Sequence, residues 1–264
     1  MSNRVRQTMK ALRSQKRCGL IAYLTCGDPD RETTVRIVLA LAEAGADAIE
    51  LGVPFSDPIA DGPVIQAAAQ RALQHGTSIA DVFSIAAEVR RSSEVPLIAF
   101  SYLNPILRYG VERFASDAAA AGIDSLLLTD LPAERAAEIR PSLQKHGLGA
   151  VFLLAPTSTD TRIAAVDRAS DDFVYYVSTM GVTGARTDLD PALLERLEEV
   201  RSRVRKPLAV GFGISRHEHY EALRTRCDAI VVGSAIVRAI ADGEPGSAPD
   251  RAAEVVRVVL GRTR

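Results

Sequence analysis

The sequence has no tryptophan, only three cysteines, and only four lysines among its 32 cationic residues. Cys18, Cys26 and Cys227 are too few and too scattered for a disulfide framework, and they fit a reducing cytosol. No apolar run approaches the ~18 residues of a membrane-spanning helix. Lys+Arg is 32 and Asp+Glu is 33, a net charge of −1, so no basic excess argues for nucleic acid. No P-loop occurs. A dinucleotide fingerprint is also missing, because Gly211-Phe212-Gly213 is followed by Arg216 where a third glycine would fall. Metal-ligand spacing is absent too. His217 and His219 are two apart and would face different sides of a helix, while His75 and His146 each precede a helix-ending glycine.

What is present is ordinary globular composition, 47% apolar and 25% charged over 264 residues. That length allows one large α/β domain spanning 1–264. The N-terminal stretch carries Arg4, Arg6, Lys10, Arg13, Lys16 and Arg17 with no acid, as organellar presequences do. Val5, Met9 and Leu12 recur at helical spacing, however, and a strand pattern begins just after them. A surface helix of the mature protein is therefore expected.

Eight β-rich runs alternate with helical patterns: Leu20–Thr25, Ala48–Gly52, Leu97–Ser101, Ser125–Thr129, Gly149–Leu154, Val174–Ser178, Leu208–Gly211 and Ala229–Val232. The intervening helical segments include Thr33–Glu43, Ile79–Arg90, Val111–Ala121, Ala133–Lys145, Asp190–Val204 and Arg216–Arg224. Gly45, Gly76, Gly122 and Gly147 stand where left-handed helix stops are needed. Parallel strands need crossovers, so the alternation predicts a parallel sheet. Eight units in this length point to a closed (β/α)8 TIM barrel with an extra N-terminal helix; an open doubly wound sheet is the rival. In a barrel, function sits on the loops after the strands' C-terminal ends.

Three late strands run into glycine-rich turns: Gly181–Arg186, Gly211–Ser215 and Gly233–Val237. The last reads as the start of a short helix. Glycine lets main-chain amides approach an anion, and a helix start adds unpaired donors. Three adjacent turns of this kind favour a phosphate over a simple ending of strands. Strand 2 places Ala48 and Glu50 on one face and Ile49 and Leu51 on the other. The apolar pair should face the helices, so Glu50 should look into the barrel. A buried, unpaired carboxyl raises its pKa and suits proton transfer near neutral pH, although an interior Arg or hydroxyl partner would make it structural. Asp61, before Gly62-Pro63, is either the N-cap of a helix over Val64–Leu73 or an acceptor for a substrate N–H or O–H. No lysine ends a strand, which excludes Schiff-base chemistry. What remains is acid–base chemistry on a phosphorylated small molecule that carries its own electron sink.

The stretch Ile49–Pro63, with Leu24–Pro29, Tyr102–Pro105, Asp130–Pro132, Gly181–Arg186, Gly211–Ser215 and Gly233–Ala235, resembles the tryptophan synthase alpha chain family over nearly the whole chain. The long strand 2 motif is highly specific; the glycine turns alone are not. The resemblance implies cleavage of indole-3-glycerol phosphate to indole and D-glyceraldehyde 3-phosphate. By matching positions it gives Glu50 the general acid/base role, Asp61 the indole N–H, and Tyr175 a place near the reacting glycerol carbon. Gly184, Gly213, Gly233 and Ser234 would hold the phosphate, and Tyr23 and Phe212 would line the indole pocket. Pro54, Phe55, Ser56, Asp57, Pro58, Asn104 and Asp130 match positions near a partner interface. The implied partner is a beta chain bearing pyridoxal phosphate, in an α2β2 heterotetramer, with no cofactor in this chain and a cytoplasmic location. Two departures stand out. Tyr23 occupies a position where Phe is expected, and Thr179-Met180 precede the Gly181 turn where Arg or Ser is common. A free-standing lyase and a non-catalytic phosphometabolite-binding barrel are the alternatives.

Overall fold

The computed structural model describes residues 3–177, 191–211 and 213–262. Eight parallel strands lie within them: β1 (Gly19–Thr25), β2 (Ala48–Gly52), β3 (Leu97–Ser101), β4 (Ser125–Leu128), β5 (Gly149–Leu154), β6 (Val174–Val177), β7 (Leu208–Gly211) and β8 (Ala229–Val232). They pair in chain order, and β8 closes on β1. The closed barrel is therefore the architecture, not the open sheet. Helix α1 (Arg4–Ser14) precedes β1, and α2 (Arg31–Ala44) follows it. Helices α3 (Pro63–Gln74) and α4 (Ile79–Arg90) follow β2, and α5 (Leu103–Tyr109) and α6 (Val111–Ala120) follow β3. Then come α7 (Arg140–Lys145), α8 (Asp160–Ala169), α9 (Pro191–Arg203) and α10 (His217–Leu223), one after each of β4 to β7. Helices α11 (Ser234–Ala241) and α12 (Ala248–Val259) follow β8.

The expected glycine stops hold: Gly45, Gly76, Gly122 and Gly147 have φ of 109°, 75°, 83° and 80°. One expected helix does not. The segment Ala133–Lys145 is a 3-10 helix over Ala133–Glu138, then a break, then α7. Pro141 lies in the first turn of α7. Its ring clashes with the preceding turn and it offers no amide hydrogen, so the helix must restart there. Strand β4 stops at Leu128, one residue short of expectation, and Ser178 lies outside the described residues.

Alternation along the strands builds two cores. Leu20, Ala22 and Leu24 of β1, with Ile49 and Leu51 of β2, pack outward against the helices. Ile21, Ala48, Ile98, Leu127, Val151, Tyr175, Ala209 and Ala229 fill the bore. The expected N-terminal helix is present as α1, with Gln7, Lys10, Ala11 and Ser14 on its exposed side. Its apolar stripe, Val5, Met9 and Leu12, is buried and joins the bore cluster, so α1 forms the barrel's floor.

The floor also explains the charge pattern. Aspartates stand at or just before the starts of the even strands: Asp47, Asp124, Asp171-Asp172 and Asp228. Each ties back to the preceding odd strand. Asp47 accepts from the Leu20 amide at 2.9 Å, Asp124 from Leu97 at 3.0 Å, Asp171 from Ala150 at 3.1 Å and Asp228 from Leu208 at 2.8 Å. The N-terminal arginines answer them: Arg17 pairs with Asp47, Arg4 with Asp124, Arg6 with Asp172 and Arg13 with Asp228. The run that looks like a presequence is thus the counter-charge of the barrel's base. Asp124 is the most committed of these acids. It is buried, and Arg90 reaches it at 3.0 Å and Arg4 at 3.1 Å.

Replacing a buried, doubly paired carboxylate strands a half-buried guanidinium. Asp124→Asn should therefore lower stability by about 2–4 kcal/mol, seen as a lower urea midpoint. Asp57→Asn, on the exposed rim, should leave the midpoint where it is.

Candidate active site

Glu50 is wholly inaccessible, and its neighbour of like parity, Ala48, belongs to the bore. In register it lies between Tyr23 of β1 and Ile98 of β3. Neither carboxylate oxygen has a hydrogen-bond partner among the described residues. Among the described residues no interior arginine or hydroxyl takes up the charge there, as a structural role would require. Burial alone pushes its pKa from 4.5 up to about 8.

Tyr175 of β6 belongs to the same bore cluster. Its phenol is kept protonated first by burial and then by the negative charge of Glu50, with smaller effects from Tyr23 and Asp61. The Tyr23 phenol responds to Asp61 and Glu50 in the same way, after burial. Glu50, Tyr23 and Tyr175 are thus buried near one another, and Asp61 is close enough for its charge to reach both phenols. The two rings fit because glycines stand beside them. A β-carbon on Gly52 would lie 2.4 Å from the Tyr23 hydroxyl, and one on Gly211 would lie 2.7 Å from that of Tyr175.

Asp61 is not the N-cap of α3. Gly62 holds that position without a side-chain bond, and Pro63 opens the helix. The Asp61 carboxyl is half-buried at the mouth, where desolvation raises its pKa to about 6 and a hydrogen bond from Tyr102 offsets part of the rise. The Tyr102 hydroxyl also accepts the Ala60 amide at 2.9 Å, which pins the loop. An apolar wall stands opposite. Val64, Ile65 and Ala68 of α3 and Val237 of α11 cluster with Tyr23 and Phe100. The Tyr23 and Phe100 rings meet edge to face at 5.0 Å.

Sequence reasoning missed Phe100 and Tyr102. The signal for Phe100 was available: in β3, Ile98 faces the bore, so Phe100 must share its side. Tyr102 acts through a tertiary contact that no local pattern announces.

Gly233 is the N-cap residue of α11 and Ser234 its first residue. A β-carbon on Gly233 would sit 3.4 Å from the Tyr23 β-carbon, so the start of α11 adjoins the ring pocket. Gly213 adopts φ of 63°, a left-handed conformation that favours glycine, in the loop after β7. Gly184, Phe212 and the Thr179-Met180 pair lie outside the described residues.

The positions named for a partner gather on the rim after β2, β3 and β4. Ser56, Asp57, Asn104 and Asp130 are exposed, and Phe55 and Pro58 half-buried. Pro54 is buried within the loop. Phe55 packs on Tyr102 with ring centroids 5.2 Å apart, and Asp130 accepts the Leu103 amide at 2.7 Å, capping α5. Two apolar residues that sequence reasoning did not single out project there as well: Ile59 is 86% exposed and Leu107 51%. Among the described residues no cluster of three or more His, Cys, Asp or Glu could hold a metal, and no helix is long and apolar enough to cross a membrane.

A family model described as tryptophan synthase alpha chain matches residues 9–260. A tryptophan synthase alpha chain of Solibacter usitatus is 54% identical over 237 residues, 90% of this chain and 89% of that one. One from Citrifermentans bemidjiense is 47% identical, covering 89% and 88%. Among solved structures, the alpha chain from Legionella pneumophila superposes with a TM-score of 0.90 at 33% identity, covering 99% of this chain and 97% of that one. A structure of the tryptophan synthase a2b2 complex from Pyrococcus furiosus gives 0.88 at 41% identity, covering 92% and 98%.

The isolation of Glu50 has a thermodynamic consequence. Unfolded, its carboxyl ionises near 4.5; folded, near 8. Between those values the folded chain keeps a proton that the unfolded chain has released. Stability must therefore fall as pH rises through that window, by about 1.4 kcal/mol per pH unit at most. Glu50→Gln removes the slope. The variant should match the wild type at pH 5 and exceed it by about 2–4 kcal/mol at pH 8.5, as measured by urea unfolding at the two pH values.

Proposed function

The chain belongs to the tryptophan synthase alpha chain family, and from that premise we infer how its barrel mouth acts. The reaction is cleavage of indole-3-glycerol phosphate to indole and D-glyceraldehyde 3-phosphate in tryptophan biosynthesis. The observation that carries the assignment of roles is the buried carboxyl of Glu50, without a hydrogen-bond partner among the described residues and proton-bearing near neutral pH, with the Tyr175 phenol close enough to feel its charge.

At pH 7 Glu50 is mainly protonated and Asp61 mainly ionised. Asp61 accepts the indole N–H, which favours electron density at ring carbon C3. Glu50 delivers its proton to C3 and the ring becomes indolenine-like. Glu50, now a carboxylate, takes the proton of the glycerol hydroxyl next to the ring. The C–C bond breaks, its electron pair flows into the ring and the aldehyde forms. No protons are gained or lost overall, and neither lysine nor metal is needed. Tyr175 lies beside the reacting glycerol carbon. Tyr23, Phe100 and the α3 wall hold the indole ring. The phosphate rests on the amides of Gly213, Gly233 and Ser234, where the start of α11 supplies free donors and a positive dipole end.

A beta chain is the partner in an α2β2 heterotetramer. It docks on the rim that presents Pro58, Ile59, Asn104, Leu107 and Asp130, with Pro54 and Phe55 holding the loop from behind. Pyridoxal phosphate belongs to that beta chain, and this chain carries no cofactor of its own. The cytoplasm is the compartment that suits three buried free thiols.

Three outcomes test this reading. Indole release should fall by ~10²–10⁴-fold or more in Glu50→Gln while the chain stays folded; ordinary turnover by a folded variant would refute the role. The kcat/KM of the wild type should follow a bell, rising as Asp61 ionises near pH 6 and falling as Glu50 ionises near pH 8. Added beta chain should raise the turnover. Full activity without it would identify a free-standing lyase, and no indole under either condition a binding barrel only.

A further inference from the structure

Helix α3 has two tasks at the mouth. Val64, Ile65 and Ala68 form a wall against Tyr23. Gln66 reaches back to the loop, donating its side-chain amide to the Asp61 carbonyl at 2.8 Å. The position of α3 therefore sets both the pocket's width and the height of Asp61. Its own anchorage is slight. The fully buried residues of α3 are Ala68, Ala69 and Ala72, each contributing about one methyl group of apolar burial, roughly 1 kcal/mol. Its N-cap makes no side-chain bond.

One polar link ties α3 to the loop after β1. The Arg71 guanidinium donates from Nε to Oδ1 of Asp28 at 2.8 Å and from Nη2 to Oδ2 at 2.7 Å. Asp28 is buried, so the pair has one desolvated end and a fork geometry that fixes direction as well as distance. An exposed ion pair of helix neighbours would contribute little. This one bridges two loops' worth of structure across 43 positions of sequence.

We propose that Asp28 and Arg71 are positioning residues for the lyase site: their bidentate pair locks α3 so that its apolar wall and the Asp61 loop hold the geometry cleavage needs. The proposal rests on the assignment of Asp61 and the α3 wall to indole binding. Both polar ends of the pair are turned to each other, and neither residue is given a part in binding the substrate. Misplacement of a binding group by about 1 Å can cost ~10²-fold in rate.

The test compares Asp28→Asn, Arg71→Gln, their double variant and Arg71→Lys with the wild type, in indole release with a beta chain present and in amide hydrogen exchange of the free chain. Each single variant should lose about 10–100-fold in kcat/KM for indole-3-glycerol phosphate. The double variant should be no worse than the poorer single one, because both cut the same link. Arg71→Lys, which keeps the charge without the fork, should recover part of the loss. Exchange over residues 58–66 should quicken at least tenfold while the strand amides keep their protection. Losses that multiply in the double variant, or exchange that rises throughout the barrel, or an unchanged loop, would overturn the proposal. If Asp28→Asn does not fold, the two Arg71 variants and the exchange pattern decide the matter. A wild-type chain that releases no indole would sink the lyase reading, and the loop's exchange would then judge the clamp by itself.

Discussion

The carboxyl of Glu50 keeps a proton near neutral pH only while the bore around it stays dry. No partner in the described chain stabilises its charge, so desolvation alone sets its pKa. The barrel must therefore be sealed below and walled above. The seal is helix α1, whose Val5, Met9 and Leu12 close the bore while its Arg4, Arg6 and Arg13 meet the aspartates at the strand starts. Chemistry at the mouth thus depends on packing at the opposite end. The two ends can still be varied separately, since the floor's ion pairs touch none of the residues given a role in cleavage.

The cost of this arrangement falls on stability. A buried neutral carboxyl is tolerated, and a buried ionised one is not. The folded chain weakens as pH rises toward 8 because Glu50 is denied its solvent shell. An amide in its place would escape the cost of ionisation, though not that of unmet hydrogen bonds. Asp61, nearer the solvent, pays a smaller desolvation penalty and ionises about two pH units earlier. Two carboxyls eleven positions apart in sequence thus take opposite protonation states at pH 7, with depth of burial separating them.

Much of this was legible in the residues. Period-2 alternation in Ala48–Leu51 was enough to aim Glu50 inward, because a strand buried on both faces has only two directions to offer. Glycine stops and turn chemistry located most helix ends within a residue or two. The break at Pro141 was legible as well, but helical periodicity across Ala133–Lys145 masked it. The spacing of Val5, Met9 and Leu12 was enough to give the N-terminal helix, but not the partners of the basic residues around it, because Asp47, Asp124, Asp172 and Asp228 are distant in sequence and gather only when the barrel closes.

The sequence by itself determined the local facts: eight strands and their spacing, the inward face of β2, the absence of lysine and metal chemistry at the strand ends, and the glycine turns after the late strands. These depend on the periodicity and stereochemistry of neighbouring residues. Tertiary structure alone decided that Asp61 is half-buried beside Tyr102 instead of capping α3, that Tyr102 and Gln66 hold its loop, that Phe100 packs on Tyr23 in the wall, and that Glu50 has no partner among the described residues. Each of those is a statement about what lies within a few ångströms across the fold, and desolvation, which sets the proton affinities here, is a property of the assembled surroundings and not of the residue.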